Sequence, residues 1–106
     1  MFDALEVFLM FLERLVSVEA KIRRKSRPLA VQLERAADSV ALNLGEGRAR
    51  KGGDSRRCYE IAAGSASEVT AALRVAVVRR YISAAELAEV DAPLDRVRAM
   101  LFRLTH

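Results

Sequence analysis

Apolar residues recur at helical spacing along almost the whole chain, and this pattern constrains the fold more than any other feature. Four segments carry the pattern, at about residues 2–24, 28–46, 54–80 and 84–104. Pro28 suits the first turn of the second helix, and Gly47 is expected to close that helix. Ser83 and Glu86 have the spacing of a capping box, while Pro93 is expected to kink or split the fourth helix. No stretch alternates like a β-strand, so the sequence predicts an all-α protein.

The connections between these helices are short, which favours antiparallel packing of successive helices. We therefore expect residues 1–106 to form a single domain, an up-down-up-down antiparallel four-helix bundle. The segment 47–55 (GRARKGGDS) is expected to be the turn between the second and third helices. Asp54 or Ser55 is the expected N-cap of the third helix, and residues 81–83 are the next connection.

The first helix carries more apolar surface than a four-helix core needs. Its apolar residues form two adjacent stripes, one of Phe2, Leu5, Leu9, Leu12 and Val16 and one of Ala4, Val7, Phe11, Leu15, Val18 and Ile22. A domain of this size buries only about two thirds of its unfolded surface, yet 52% of the residues are hydrophobic. We expect the surplus stripe to pack against another copy of the chain in a homo-oligomer. The alternative is a wide buried face within the monomer.

Eighteen Lys and Arg against fourteen acidic residues give a net charge of +4, and the distribution of charge distinguishes the two ends of the expected bundle. At one end Glu86, Glu89 and Asp91 are expected to neutralise much of the positive charge of five basic residues. These five are Lys21, Arg23, Arg24, Lys25 and Arg27. The turn between the second and third helices has only Asp54 as a local acid. Its basic residues are the candidate nucleic-acid contacts: Arg48, Arg50, Lys51, Arg56 and Arg57.

Polar residues follow the facing sides of the second and third helices and form a candidate structural seam. The seam residues are Arg35, Ser39, Asn43, Glu46, Ser65 and Glu68. If the turn is centred near Arg50, Ser39 lies opposite Ile61. We expect an ion pair between Arg35 and Glu68 and a hydrogen bond from the Asn43 amide across to the third helix. Such a layer either sets the register of helices or subunits, or it lines a binding groove.

Gly64 lies within a run of small residues in the third helix. Glycine in a helix interior costs about 1 kcal/mol relative to alanine. We therefore expect Gly64 to allow a close approach of the third helix, either to the second helix or to a neighbouring subunit.

The sequence offers little for catalysis or metal binding. Cys58 is the single cysteine and His106 the single histidine, which excludes an intramolecular disulfide and a cysteine-based zinc site. Cys58 is expected to be a small core residue, with a reactive thiol as the alternative. No paired carboxylates, nucleophile–base pair or phosphate-binding loop stands out. We therefore expect no enzyme, no catalytic residues, no metal and no cofactor.

The N-terminal segment is apolar but lacks the features of a signal peptide. It has no basic start, and Asp3 and Glu6 interrupt the apolar run. The uncharged apolar stretches are shorter than a bilayer-spanning helix. We therefore expect a cytoplasmic protein without a membrane partner.

A specific motif covers the second and third helices. It consists of Gln32, Arg35, Ala36, Ser39, Asn43, Glu46 and Gly47, a basic turn, and then Tyr59, Ala62, Gly64, Ser65 and Glu68. In this motif, and in residues 81–83 leading to Glu86, the sequence resembles a bacterial four-helix-bundle family over roughly residues 29–88. That family includes the proteins encoded in intervening sequences of 23S ribosomal RNA genes and the accessory variability determinant of diversity-generating retroelements. The lysine and tryptophan that usually open the first helix are absent, and the apolar segment DALEVFLMF replaces them.

The resemblance implies a homopentamer, a barrel of bundles whose basic surfaces are proposed to contact RNA or DNA. For the retroelement members it also implies a reverse transcriptase as partner.

Three interpretations of the chain remain open. The first is a non-catalytic oligomeric module whose basic turn binds nucleic acid without sequence preference; the absence of aromatic residues among its basic positions argues against base stacking. The second is a protein-interaction scaffold, such as an accessory subunit of a reverse transcriptase or another nucleic-acid enzyme. In the third, the basic turn is a solvated segment that keeps the protein soluble.

Overall fold

The computed structural model describes residues 3–106, which form four α-helices and no β-strand. The helices are α1 (Ala4–Lys25), α2 (Arg27–Ala49), α3 (Gly52–Val78) and α4 (Ala84–Thr105). The all-α prediction is therefore confirmed. Pro93 lies buried within an unbroken α4, so the expected separate first piece of this helix is wrong.

A single hydrophobic cluster draws residues from all four helices. Phe8 and Phe11 of α1 are fully buried at its centre, with their ring centroids 5.2 Å apart. Leu33 of α2, Leu73 of α3 and Leu94 of α4 are also fully buried. Each such side chain contributes about 1.5–3 kcal/mol through burial, so this cluster is the main source of stability.

The two apolar stripes of α1 have different environments. All members of the stripe that begins at Ala4 are buried, and this stripe faces the core. Of the other stripe, Leu9 is 46% exposed and Val16 is 68% exposed, while Leu5 and Leu12 are partly buried. Phe2 lies outside the described residues. The apolar surplus predicted for the first helix is therefore present on the surface, and a wide buried face within the monomer does not account for it.

One residue, Ser26, separates α1 from α2. Its backbone N–H donates to the carbonyl oxygen of Ile22 over 2.7 Å, which completes the last turn of α1. Its Oγ accepts the backbone N–H of Leu29 over 3.3 Å, which caps the first turn of α2. Ser26 thus ends one helix and begins the next.

The connection between α2 and α3 is shorter than predicted. Gly47 does not close α2 but lies inside it, and the connection consists of Arg50 and Lys51. A Cβ at Gly47 would lie 2.6 Å from Cε1 of Tyr59, so the absence of a side chain makes room for this ring. The glycine serves helix packing rather than helix termination.

The first turn of α3 also differs from the prediction. Lys51 occupies the N-cap position without a side-chain hydrogen bond, so neither Asp54 nor Ser55 is the cap. Ser55 instead donates its hydroxyl to the carbonyl oxygen of Gly47 over 2.7 Å. Gly52 has a φ of +58°, a left-handed conformation that glycine adopts without strain.

The connection between α3 and α4 contains a Schellman motif followed by a capping box. The N–H of Tyr81 donates to Ala76 and that of Arg80 donates to Val77. Arg80 has a φ of 63°, where glycine is usual. Ser83 then forms the predicted reciprocal capping box with Glu86.

Contacts between helix ends show which termini lie together. Arg48 near the end of α2 contacts Asp3 before α1, and Arg56 near the start of α3 contacts Thr105 at the end of α4. We call this end, around Arg50 and Lys51, the hairpin end. The opposite end, around Ser26 and residues 79–83, is called the connection end.

Among the described residues, α3 is the one helix long and apolar enough to cross a membrane by length and composition. A core helix of a soluble protein passes the same test, and α3 here packs against α2 and α4. The apolar part of α3 contains Glu68 and Arg74, so it is not one of the uncharged stretches considered in the sequence.

Candidate nucleic-acid interface

The structure brings the five candidate basic residues together at the hairpin end, and three of them have partners. Arg48 forms a salt bridge with Asp3, with 2.7 Å between Nη1 and Oδ2. The Nε of Arg50 lies 3.5 Å from Oε2 of Glu46, one turn earlier on α2. Arg56 donates to the backbone carbonyl oxygen of Thr105 over 2.8 Å, where the last turn of α4 leaves carbonyl groups without helical partners.

Lys51 and Arg57 are the unpaired members of this group. Both are exposed, and neither has a carboxylate oxygen within 4.0 Å among the described residues. Lys51 forms the tip of the connection, and Arg57 follows one and a half turns into α3. Among the five candidates, these two side chains are the cations that are available to an external anion.

The carboxyl group of Asp3 links this cluster to the first turn of α1. It accepts the backbone N–H of Glu6 over 3.0 Å and also receives Arg48. These two interactions lower the pKa of Asp3 below its ordinary value, and the hydrogen bond to Asp3 raises the pKa of Arg48. Both groups are therefore charged at neutral pH, and the arginine keeps further N–H donors free for another anion.

The polar seam is much smaller than predicted. Ser39 and Ser65 share a hydrogen bond of 2.8 Å between their hydroxyl oxygens, and this bond joins α2 to α3 within the seam. Asn43 donates to the carbonyl oxygen of Ser39 on its own helix over 2.9 Å, so the expected amide bond across to α3 is wrong. The expected ion pair is wrong as well, because Arg35 and Glu68 are both exposed and unpaired.

The register of α2 against α3 also differs from the prediction. Ser39 lies opposite Ser65 rather than Ile61, a displacement of one helical turn. Cys58 likewise lies opposite Glu46, with 4.0 Å between Sγ and Oε2. The side chains of Arg35 and Glu68 are both exposed and lie on the outer surface of the α2–α3 pair.

The predictions for Gly64 and Cys58 have different outcomes. A Cβ at Gly64 would meet no atom within 4 Å, so this glycine does not bring α3 close to α2. Its role at a neighbouring subunit stays a prediction. Cys58 is 8% exposed and is buried, as predicted.

At the connection end, acidic residues neutralise less of the positive charge than predicted. Lys21 pairs with Glu86, and Arg23 pairs with both Glu19 and Glu34. The other three basic residues of this group are exposed and form no salt bridge with any described residue: Arg24, Lys25 and Arg27. Sequence reasoning also overlooked Arg79 and Arg80, although consecutive arginines before a helix-capping serine are a visible signal for a basic connection.

The part of the chain that the structure describes contains no group of three or more His, Cys, Asp or Glu side chains suited to a metal ion. The fold and the site therefore define a class: an all-α, four-helix protein with basic residues gathered at its helix connections.

The chain belongs to the 23S rRNA-intervening sequence protein family, whose model matches residues 8–103. Its fold is similar to the crystal structure of a protein of unknown function from the S23 ribosomal protein family of Bacteroides thetaiotaomicron. The two share 18% sequence identity with a TM-score of 0.87, and the similarity covers 97% of this chain and 98% of that one. At this level of identity the comparison shows the fold alone. No curated protein matches the chain.

Proposed function

We propose that this protein is a non-catalytic, cytoplasmic module that binds the phosphate backbone of RNA or DNA at its hairpin end, without sequence preference. The observation that carries the proposal is the pair Lys51 and Arg57, exposed and unpaired beside three further arginines. Phosphate contacts supply most of the affinity of non-specific nucleic-acid binding.

The paired arginines at the hairpin end also fit this function. An exposed ion pair such as Arg48–Asp3 contributes only about 0–1 kcal/mol. A phosphate group therefore competes for the Arg48 or Arg50 guanidinium at little cost to the fold. Residues 48–57 include no aromatic side chain that would stack on a base, which favours contact with the backbone over sequence-specific recognition.

We further propose that the chain is an up-down-up-down antiparallel bundle that assembles into a homo-oligomer, a homopentamer by its family resemblance. Two contacts support the antiparallel order. Arg48–Asp3 joins the end of α2 to the start of α1, and Arg56–Thr105 joins the start of α3 to the end of α4. Large apolar residues on the outside support assembly: Leu9, Val16, Leu42, Ile61, Val75 and Val78. Five copies of one small basic cluster would act together on a single polyanion.

A salt titration tests the nucleic-acid proposal. Fluorescence anisotropy with generic duplex DNA and duplex RNA gives the slope of log affinity against log salt. Engagement of all five basic residues predicts a slope of about −3.5 to −4.5. The variant Lys51→Gln/Arg57→Gln is expected to flatten the slope. The control variant Arg14→Gln/Arg96→Gln removes the same charge from the middle of α1 and α4 and should leave the slope unchanged.

A wild-type protein that binds neither duplex at about 50 mM salt would reject the proposal, and would leave the basic turn as a solvated segment. Light scattering tests the assembly separately, because a mass of 11.7 kDa in solution would reject the homo-oligomer.

The alternative is a protein-interaction scaffold, such as an accessory subunit of a reverse transcriptase or another nucleic-acid enzyme. The exposed side chains of Leu9 and Val16 favour it, because they form an apolar surface without a partner in the monomer. Affinity capture with and without nuclease treatment separates the two functions. Partners that persist after nuclease treatment and are lost in Leu9→Ser/Val16→Ser favour the scaffold.

A further inference from the structure

The connection end carries the largest group of unpaired cations in the described part of the chain. Five exposed basic residues from two separate connections contribute to it: Arg24, Lys25, Arg27, Arg79 and Arg80. None of them has a carboxylate oxygen within 4.0 Å. The hairpin end, by comparison, has two unpaired cations among its five candidate residues.

The acidic residues nearby do not neutralise this group. Glu86 is held by Lys21, while Glu19 and Glu34 both pair with Arg23. Glu89 and Asp91, which were expected to help, form no salt bridge with any residue of the group. Among the described residues, no salt bridge therefore neutralises any of these five cations directly.

An open hollow of about 400 Å³ brings the two connections together. Its wall includes Arg79 from the α3–α4 connection and Ser26 and Pro28 from the start of α2. Arg27 lies between these last two residues in the chain. Arg79 lines this hollow, Arg80 lines a second one, and Tyr81 lines both, so the two hollows adjoin at the connection end.

Two of these cations occupy positions that local physics disfavours. Arg27 is the first residue of α2, where the helix dipole is already positive and the first turn has no acid. Arg80 has a φ of 63°, a left-handed conformation that is strained for any residue but glycine. An external anion would offset the unfavourable position of the Arg27 charge, whereas Arg80 follows the C-terminus of α3, where the helix dipole already favours a cation.

We propose that the connection end is a second surface for the phosphate backbone of nucleic acid. With the hairpin end at the opposite pole of a molecule 42 Å long, one subunit holds a separate nucleic-acid segment at each end. The proposal rests on the function proposed above for the hairpin end. Four of the five cations are arginines, which donate in the planar fork that matches phosphate oxygens.

A nucleic-acid backbone fits this surface better than a membrane does. A membrane-surface helix presents a row of large apolar side chains beside its basic residues. Here Val78 is the large apolar residue that is strongly exposed next to the arginines, at 81%. Acidic vesicles therefore serve as a second arm of the experiment.

The experiment compares three variants of equal net charge. Arg27→Gln/Arg79→Gln changes the connection end, Lys51→Gln/Arg57→Gln changes the hairpin end, and Arg14→Gln/Arg96→Gln is the mid-helix control. Circular dichroism and light scattering first establish that all variants keep the wild-type fold and mass. Anisotropy then gives the salt slope with duplex DNA, and a bead-bound duplex reports capture of a second, fluorescent duplex through the protein.

The connection-end variant is expected to flatten the salt slope by about 1.8, the loss of two phosphate contacts. It should also lose most of its capture of the second duplex while the control keeps both properties. A connection-end variant that matches the control in slope and capture would overturn this inference, and a hairpin-end variant that matches the control would separately overturn the hairpin site. Vesicle binding is measured with phosphatidylserine in phosphatidylcholine. If the connection-end variant loses vesicle binding while its duplex binding stays unchanged, the surface would be assigned to membranes instead.

Discussion

The ring of Tyr59 on α3 lies directly over Gly47 on α2, so close that a Cβ at position 47 would be 2.6 Å from Cε1. This contact sets the distance between the two helices just before the basic connection. It also explains why a glycine that resembles a helix terminator lies inside a helix.

Replacing Gly47 by alanine should destabilise the protein. The added methyl group forces the Tyr59 ring to move, and overpacking of this kind costs about 1–3 kcal/mol. Urea unfolding at neutral pH measures the loss. The control is Gly64→Ala, where a Cβ meets no atom within 4 Å and helix propensity should add up to about 1 kcal/mol of stability. Equal effects of the two substitutions would contradict the assignment of Tyr59 as the cause.

Replacing Arg80 by glycine should stabilise the protein by about 1 kcal/mol, because the strain of a φ of 63° disappears. Thermal unfolding followed by circular dichroism measures the gain. Arg80→Ala removes the charge but keeps the strain, so it should not stabilise. A gain with alanine equal to that with glycine would assign the effect to charge repulsion instead.

The lowered pKa of Asp3 predicts a pH-dependent contribution to stability. A carboxyl group whose pKa is depressed in the folded state stabilises above its ordinary value, 3.8, and loses this contribution as the pH falls through the folded pKa. Asp3→Asn keeps an N-cap acceptor but not the charge. Its deficit against wild type should be present at neutral pH and should disappear in strong acid.

Urea unfolding across this pH range measures the difference between wild type and Asp3→Asn. Asp38→Asn, at an exposed position, is the control for the removal of one carboxyl group. A deficit of Asp3→Asn that is constant with pH would show that the charge of Asp3, held by the Glu6 N–H and by Arg48, contributes nothing to stability.

The hydroxyl pair between Ser39 and Ser65 should behave as one unit. Either single alanine substitution leaves a partly buried hydroxyl without its partner and should cost about 1 kcal/mol. The double substitution should cost less than the sum of the two. A double-mutant cycle by urea unfolding tests this, and additive losses would mean that the pair does not couple α2 to α3.

The sequence was sufficient for the helices, the buried stripe of α1, and the capping box of Ser83 with Glu86, because each rests on local spacing. It was not sufficient for the register of α2 against α3. That register depends on where Tyr59 fits, which is a tertiary contact that no local pattern encodes.

The same limit applies to the candidate site. Sequence reasoning found the basic turn, but it did not show that Arg48 and Arg50 already have carboxylate partners while Lys51 does not. It also missed Arg79 and Arg80, since their proximity to the start of α2 exists only in the folded chain.

Ser26 is the whole connection between α1 and α2, and this one residue forms hydrogen bonds with the last turn of α1 and the first turn of α2. Lengthening the chain there would uncouple the two helices. A protein engineer who wants to graft a tag, or to open new ends by circular permutation, should therefore leave the connection at Ser26 intact.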